Sequence, residues 1–266
     1  MTIKVEPLPP VRRHTVHFLE KANESQAIYL STEIDASTLV DAKTTFKQRS
    51  ENISYVSFFL YAISRAIEAY PEVNCSVQGK RHPKRWQFSS IDGKVTMDTL
   101  AKGERIVTSN VIQALNKKSL SAIQEEINEL KGVSFETGEQ FTAIRKLQQL
   151  PTWLGRKIFK KVMKKPETWQ QTQGSFTVTS LGHVPINTFF PMTTSTTCFG
   201  IGAIRRCPVV VEEDIVIKSM MPLSMTFDHR AIDGALAADF LHHIKTLIEE
   251  WEGEAWQEGL KNQATM

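Results

Sequence analysis

The chain is poor in cysteine, with Cys75, Cys198 and Cys207 the only three in 266 residues. They are odd in number and widely separated, which excludes both a disulfide framework and a structural zinc site with ordinary ligand spacing. Small buried hydrophobes are the expectation for all three. No segment approaches the run of about 18 apolar residues that a membrane span needs, and residues 1–10 hold no apolar core of a signal sequence. A cytoplasmic protein is the expectation that follows. Internal repeats and low-complexity tracts are also missing, which leaves the fibrous and disordered classes without support. Acidic residues are absent from 141–165, where Arg145, Lys146, Arg156, Lys157, Lys160, Lys161, Lys164 and Lys165 are all basic. Taking those eight charges from the net +3 leaves −5 for the remainder, so the basic character is local and a general affinity for nucleic acid is not expected.

What is present is enough apolar matter, 41% of residues, to bury a large core. A proline-rich arm over 1–10 precedes an expected helix over 11–23. Alternation over 25–35 predicts a strand, and Asp35 to Leu39 reads as a helix start running to Gln48. Val56, Phe59, Leu60, Ile63 and Ile67 recur at helical spacing over 55–70, before Pro71 stops them. Two strands flanking Lys102-Gly103 are expected over 91–114, and a helix over 119–130, capped by Ser119 or Ser121 and ended by Gly132. Short apolar runs at 175–180, 198–204, 209–211, 215–218 and 222–227 predict a sheet of several strands. A closing helix over 233–251 buries Leu236, Phe240, Leu241, Ile244, Leu247 and Ile248. Together these predict a single α+β domain, a mixed sheet flanked by helices, over 11–252, followed by a tail over 253–266.

The run Phe227-Asp228-His229-Arg230-Ala231-Ile232-Asp233-Gly234 places a histidine where a strand breaks into a helix. An isolated histidine at a strand end is more often structural than catalytic, but acyl transfer to a thiol or hydroxyl needs a base of near-neutral pKa, which imidazole supplies best. The oxyanion of such a reaction needs a hydrogen-bond donor as well. In Ser175-Phe176-Thr177-Val178-Thr179-Ser180, strand alternation puts Thr177 and Thr179 on one face and Val178 and Ser180 on the other. Asp233 is placed to orient the loop, and Gly234 to permit a tight turn.

The stretch Met221-Pro222-Leu223-Ser224-Met225-Thr226-Phe227-Asp228-His229-Arg230-Ala231-Ile232-Asp233-Gly234-Ala235 closely resembles the active-site motif of the dihydrolipoyl acyltransferases, the core enzymes of 2-oxoacid dehydrogenase complexes. Phe176 to Gly182, Phe199-Gly200-Ile201-Gly202-Ala203-Ile204, Lys117-Lys118-Ser119-Leu120 and Tyr70-Pro71-Glu72-Val73-Asn74 extend the resemblance in the family's order over about 11–251. The resemblance implies a chloramphenicol acetyltransferase-like fold and an active site shared between subunits of a homotrimer, with CoA or acyl-CoA and a thiol or hydroxyl acceptor entering from opposite ends. It makes His229 the general base and Thr179, where the family has a serine, the oxyanion donor. Asp233 becomes a structural carboxylate paired with an N-terminal arginine, for which Arg13 is the candidate. It implies no metal and identifies no CoA-contact residue.

The departures shape the functional reading. No lipoyl or subunit-binding domain is recognised, so a stand-alone enzyme with no covalently attached lipoyl group is expected. Thr193-Thr194-Ser195-Thr196-Thr197-Cys198 replaces the family's Asn-Pro-containing stretch, and 133–173 is longer than the family connection. Within a basic amphipathic insertion over about 137–170, Leu154, Ile158 and Val162 form an apolar stripe beside a cationic face. It is open to three uses: packing on its own core, contact with a membrane surface, or docking of an acidic carrier protein. A CoA-dependent acyltransferase working through a ternary complex is the leading expectation. The alternatives are the same chemistry on a lipoyl domain supplied in trans, and a non-catalytic trimeric scaffold or peripheral membrane module.

Overall fold

A computed structural model of the protein describes residues 3–79 and 81–251. In chain order the elements are α1 (Arg13–Ala22), β1 (Ala27–Asp35), α2 (Ser37–Gln48), α3 (Tyr55–Ala69), β2 (Cys75–Gln78), β3 (Lys84–Gln87), β4 (Gly93–Ala101), β5 (Glu104–Ile112) and α4 (Leu120–Gly132). They continue with α5 (Thr142–Gln149), α6 (Thr152–Val162), α7 (Pro166–Gln173), β6 (Phe176–Ser180), β7 (Thr197–Ile201), β8 (Arg205–Val211), β9 (Asp214–Asp228) and α8 (Gly234–Glu249). Among the described residues no helix is long and apolar enough to cross a membrane.

Local chemistry sets most boundaries. Ser54 caps α3 by accepting the Ser57 amide at 3.3 Å, and Gln124 on α4 accepts both the Ser54 amide and the Ser57 hydroxyl at 2.7 Å. Asp35 receives the Ser37 amide at 3.1 Å and so starts α2. The β4–β5 turn has positive φ at both Lys102 (51°) and Gly103 (79°), the backbone that a two-residue hairpin requires.

The main sheet runs β1-β9-β7-β6-β4-β5, with β8 continuing alongside the first half of β9. β6 is parallel to β4 and β7, and the other pairings are antiparallel, so the sheet is mixed as expected. One face presents Phe176, Val178, Phe199, Ile201, Met225 and Phe227 to α3 and α8, which return Phe58, Phe59, Ile63, Phe240 and Ile244 to form the core. The opposite face is polar. Lys94, Thr177, Cys198 and Thr226 stand side by side across β4, β6, β7 and β9, under a cover supplied by α1, α7 and the segment 186–196.

Several expectations are corrected. The runs 215–218 and 222–227 are one 15-residue strand, β9, which pairs first with β8 and then with β1 and β7. The run 198–204 is broken at Gly202, and 209–211 is the end of the longer β8. The β2–β3 hairpin was not anticipated. Cys75 and Cys198 are buried as expected, but Cys207 is half-exposed on β8. On α6 Gly155 is buried and Leu154 and Phe159 are half-buried, with Met163 buried just beyond the helix, whereas Ile158 and Val162 remain 39% and 40% exposed. The stripe read from the sequence is therefore the flank of the packed face. The expected tail over 253–266 lies outside the described residues.

Candidate active site

β9 is buried from Met221 to Asp228, and the chain then turns through 229–232 before α8 begins at Gly234. His229 opens this turn. Its amide donates to the Gln26 carbonyl at 2.9 Å, and the Ala231 and Ile232 amides close the turn on the Asp228 carbonyl at 2.9 and 3.3 Å. The ring Nδ1 lies 3.1 Å from the Ile232 carbonyl oxygen. A carbonyl only accepts, so Nδ1 carries the proton and the Nε2 lone pair is left for a substrate. The side chain is 47% exposed, which lets a substrate reach it.

Asp233 lies 3.8 Å from Nδ1 and its side chain is 91% exposed. It stands at the N-terminal boundary of α8 without making a side-chain cap, and among the described residues no arginine pairs with it. Arg13 instead donates to the Gln148 and Leu150 carbonyls at 3.3 and 3.2 Å, tying α1 to the end of α5. Gly234 is the first residue of α8 and has open space where a side chain would project.

The sequence reading passed over the carboxylate next to the histidine. Asp228 is buried, and its Oδ1 accepts the Gln26 amide at 3.2 Å, the Arg230 amide at 3.1 Å and Arg230 Nε at 2.9 Å. Its Oδ2 accepts Arg230 Nη2 at 2.6 Å and Nε at 3.1 Å. The same guanidinium reaches the Val77 carbonyl at 3.4 Å. A charge-assisted, forked pair thus brackets His229 on both sides in sequence. The signal for it was the pattern Asp-His-Arg, in which an acid and a base two apart reach around the residue between them.

Thr179 lies on β6, half-buried, opposite Gly200 on β7, which in turn faces Ser224 on β9. Side chains at Gly200 and Gly202 are excluded by the segment that crosses them: an added Cβ would lie 2.7 Å from the Phe189 carbonyl oxygen at Gly200 and 2.0 Å from that of Asn187 at Gly202. His229 is five residues beyond Ser224 and two strands away from Thr179, a separation of about 19 Å at the usual strand rise and spacing. Within one chain the two groups do not meet.

Near the polar row, Lys94 is fully buried without a carboxylate, and its ammonium donates to Gln173 Oε1 at 3.0 Å and Thr194 Oγ1 at 3.2 Å. Burial pushes its pKa down to about 7. Burial also pushes the Cys198 thiol up to about 12, which keeps it from serving as a thiolate at neutral pH. Among the described residues no three of His, Cys, Asp and Glu gather in a group that could hold a metal ion.

A mixed sheet with helices on its apolar face is the fold that the chain shares with chloramphenicol acetyltransferase. Chloramphenicol acetyltransferase itself aligns with a TM-score of 0.52 at 14% identity, over 93% of this chain and 99% of that one. The chain belongs to the family described as 2-oxoacid dehydrogenases acyltransferase (catalytic domain), whose profile matches residues 1–134 and 156–254. A probable dihydrolipoamide acetyltransferase from Listeria monocytogenes aligns with a TM-score of 0.69 at 22% identity, covering 95% of this chain and 97% of that one. Both structural likenesses establish the fold alone. In sequence, the dihydrolipoyllysine-residue succinyltransferase component of the 2-oxoglutarate dehydrogenase complex of Haemophilus influenzae is 25% identical over 246 residues, 90% of this chain and 52% of that protein. The chain spans about half the length of the curated relatives it matches.

Proposed function

We propose that the chain is the catalytic unit of a CoA-dependent acyltransferase that moves an acyl group between CoA and a thiol or hydroxyl acceptor in a ternary complex. The observation that carries this reading is the 3.1 Å contact of His229 Nδ1 with the Ile232 carbonyl oxygen on a half-exposed side chain, which assigns the proton to Nδ1 and leaves Nε2 as the base. Nε2 removes the acceptor's proton, and the resulting thiolate or alkoxide attacks the acyl carbonyl carbon. The tetrahedral oxyanion is met by the Thr179 hydroxyl, and its collapse expels CoA thiolate, which regains a proton from the imidazolium. Because His229 and Thr179 lie about 19 Å apart in one chain, the reading assigns the hydroxyl to a neighbouring copy in a homotrimer. Asp228 and Arg230 hold the turn, and Asp233 adds a weak orienting charge.

The names of the relatives point to a dihydrolipoyl thiol as acceptor, and we place that thiol on a lipoyl domain distinct from the catalytic one. A non-catalytic scaffold has less support, since it gives no use to an imidazole left open at one nitrogen. His229→Ala and Thr179→Ala should each lower turnover with acyl-CoA and free dihydrolipoamide by about 10²-fold or more. Unfolding the two variants together and refolding them as mixed trimers should restore about a quarter of the sites, because each mixed ring holds one intact pairing. Turnover near wild type in His229→Ala would sink the assignment of the base. No recovery on mixing would sink the shared site.

A further inference from the structure

The packing of α6 leaves a surface that the acyl-transfer reading does not use. Gly155 meets α1 so closely that an added Cβ would lie 2.8 Å from His17 Nε2, and the Phe159 and His17 rings stand 6.3 Å apart. Met163, just beyond the helix, joins Trp169 and Phe88 in a small buried cluster. These contacts consume the middle of the apolar face. Outside them, Trp153 is 61% exposed, with Lys157 Nζ 5.4 Å from its ring centroid, and Ile158 and Val162 are also uncovered. Arg156 pairs with Glu20, but Lys157, Lys160, Lys161, Lys164 and Lys165 are exposed and have no ion pair among the described residues. No acidic residue lies between 141 and 165 to compensate them.

We infer that this face of α6 docks a small acidic carrier domain bearing the acyl group or its thiol acceptor. The inference rests on the acyl-transfer reading and names the partner that reading requires. At about 100° per residue, Lys157 and Lys161 form a ridge between Trp153 on one side and Ile158 on the other. Carboxylates on a convex domain meet such a ridge while its apolar side chains settle on the two flanks. A bilayer fits less well. The side chains that would insert deepest, Phe159 and Met163, are held inside, and the ammonium ridge keeps the remaining flanks at headgroup level. The family profile skips 135–155, which leads into α6 and supplies Trp153, and resumes at 156, so the ridge of Lys157 and Lys161 belongs to the matched part and Trp153 to the skipped one.

The test uses the full chain with Lys157→Glu, Lys161→Glu and Lys164→Glu combined, and Lys→Gln at the same positions as a milder control. Binding is measured by calorimetry against a free lipoyl domain and a phosphopantetheinylated acyl carrier protein, and flotation is measured with phosphatidylglycerol–phosphatidylcholine vesicles. One of the two carriers should bind the wild-type chain in a salt-sensitive way, and the Glu variant should weaken it about tenfold or more. KM for the carrier-borne thiol should rise in step, while turnover of free dihydrolipoamide stays unchanged. Absence of binding by both carriers, an unchanged Kd in the Glu variant, or binding of vesicles in place of carriers would overturn the docking surface. Failure of wild type on free dihydrolipoamide would strike the acyl-transfer reading instead, and the calorimetry would still judge the dock.

Discussion

On the face of the sheet that meets α3 and α8, Phe176, Val178, Phe199, Met225 and Phe227 are enclosed by other apolar side chains. On the opposite face the same strands present Lys94, Thr177, Thr179, Cys198, Ser224 and Thr226 to loop and short helices. The first face gains stability from every residue it buries. The second has to find a partner for each polar atom, and it does not always succeed: the Thr226 hydroxyl is buried without one. Stability is concentrated on one side of a sheet a single residue thick, and the candidate oxyanion donor stands on the other.

Phe199→Ala is the strongest test of that division. The ring packs edge-on against Phe176 and Phe240 at 6.4 and 6.2 Å, and its loss should cost about 3–5 kcal/mol in urea unfolding. A cost below about 1 kcal/mol would erase the distinction between the faces.

Lys94→Met should move stability the other way, by about 1–3 kcal/mol at pH 7, the relief of a buried amine offset by the stranded Gln173 and Thr194. The folded pKa of about 7 lies below the unfolded 10.5, so between those values the unfolded chain alone holds the proton. Wild-type stability should therefore rise from pH 7 toward 10, by about 1 kcal/mol per pH unit, and the methionine variant should lack that rise. Parallel slopes in the two proteins would refute the assignment.

The smallest effect belongs to His17, which is buried with neither ring nitrogen partnered and whose pKa burial holds below 6.5. The neutral ring is the folded form, so its contribution is intact above pH 6.5 and is lost as pH falls below it. Relative to His17→Leu, wild type should lose stability as the pH falls from 7 to 5, read from thermal midpoints. Equal losses would show that the α1–α6 contact is indifferent to the ring's charge.

The apolar face was largely legible in the sequence, because its periodicities are long and strong. The helical spacing of Val56 to Ile67, the alternation of 25–35 and the buried stripe of α8 all appear as expected. The polar face was less so. β2 and β3 are four-residue strands, and β3 reads Lys84-Arg85-Trp86-Gln87, too short and too charged to alternate visibly. β9 looked like two strands because Ser219-Met220-Met221-Pro222 interrupts the pattern, yet Pro222 keeps its register opposite Glu33 and gives its carbonyl to the Gly202 amide at 3.0 Å. On α6 the inward anchor is a glycine, which no hydrophobic pattern counts. The histidine was found from its motif, whereas the Asp228–Arg230 clasp left only the short pattern Asp-His-Arg, whose pairing depends on the turn that brings acid and base together.

The central position of β9 also bears on how the chain is made. Its second half lies between β1 and β7, and Ala27 on β1 waits about 200 residues of synthesis for its partner Asp228. Until residues 220–228 leave the ribosome, β1 has no main-sheet neighbour and β7 has only one. β1 thus stays unpaired while roughly 200 further residues are made, and one border of β7 for about twenty, the condition under which chains stick to one another. The residue that completes the sheet is followed at once by the imidazole, so no incompletely synthesised copy can display the base before its scaffold is closed.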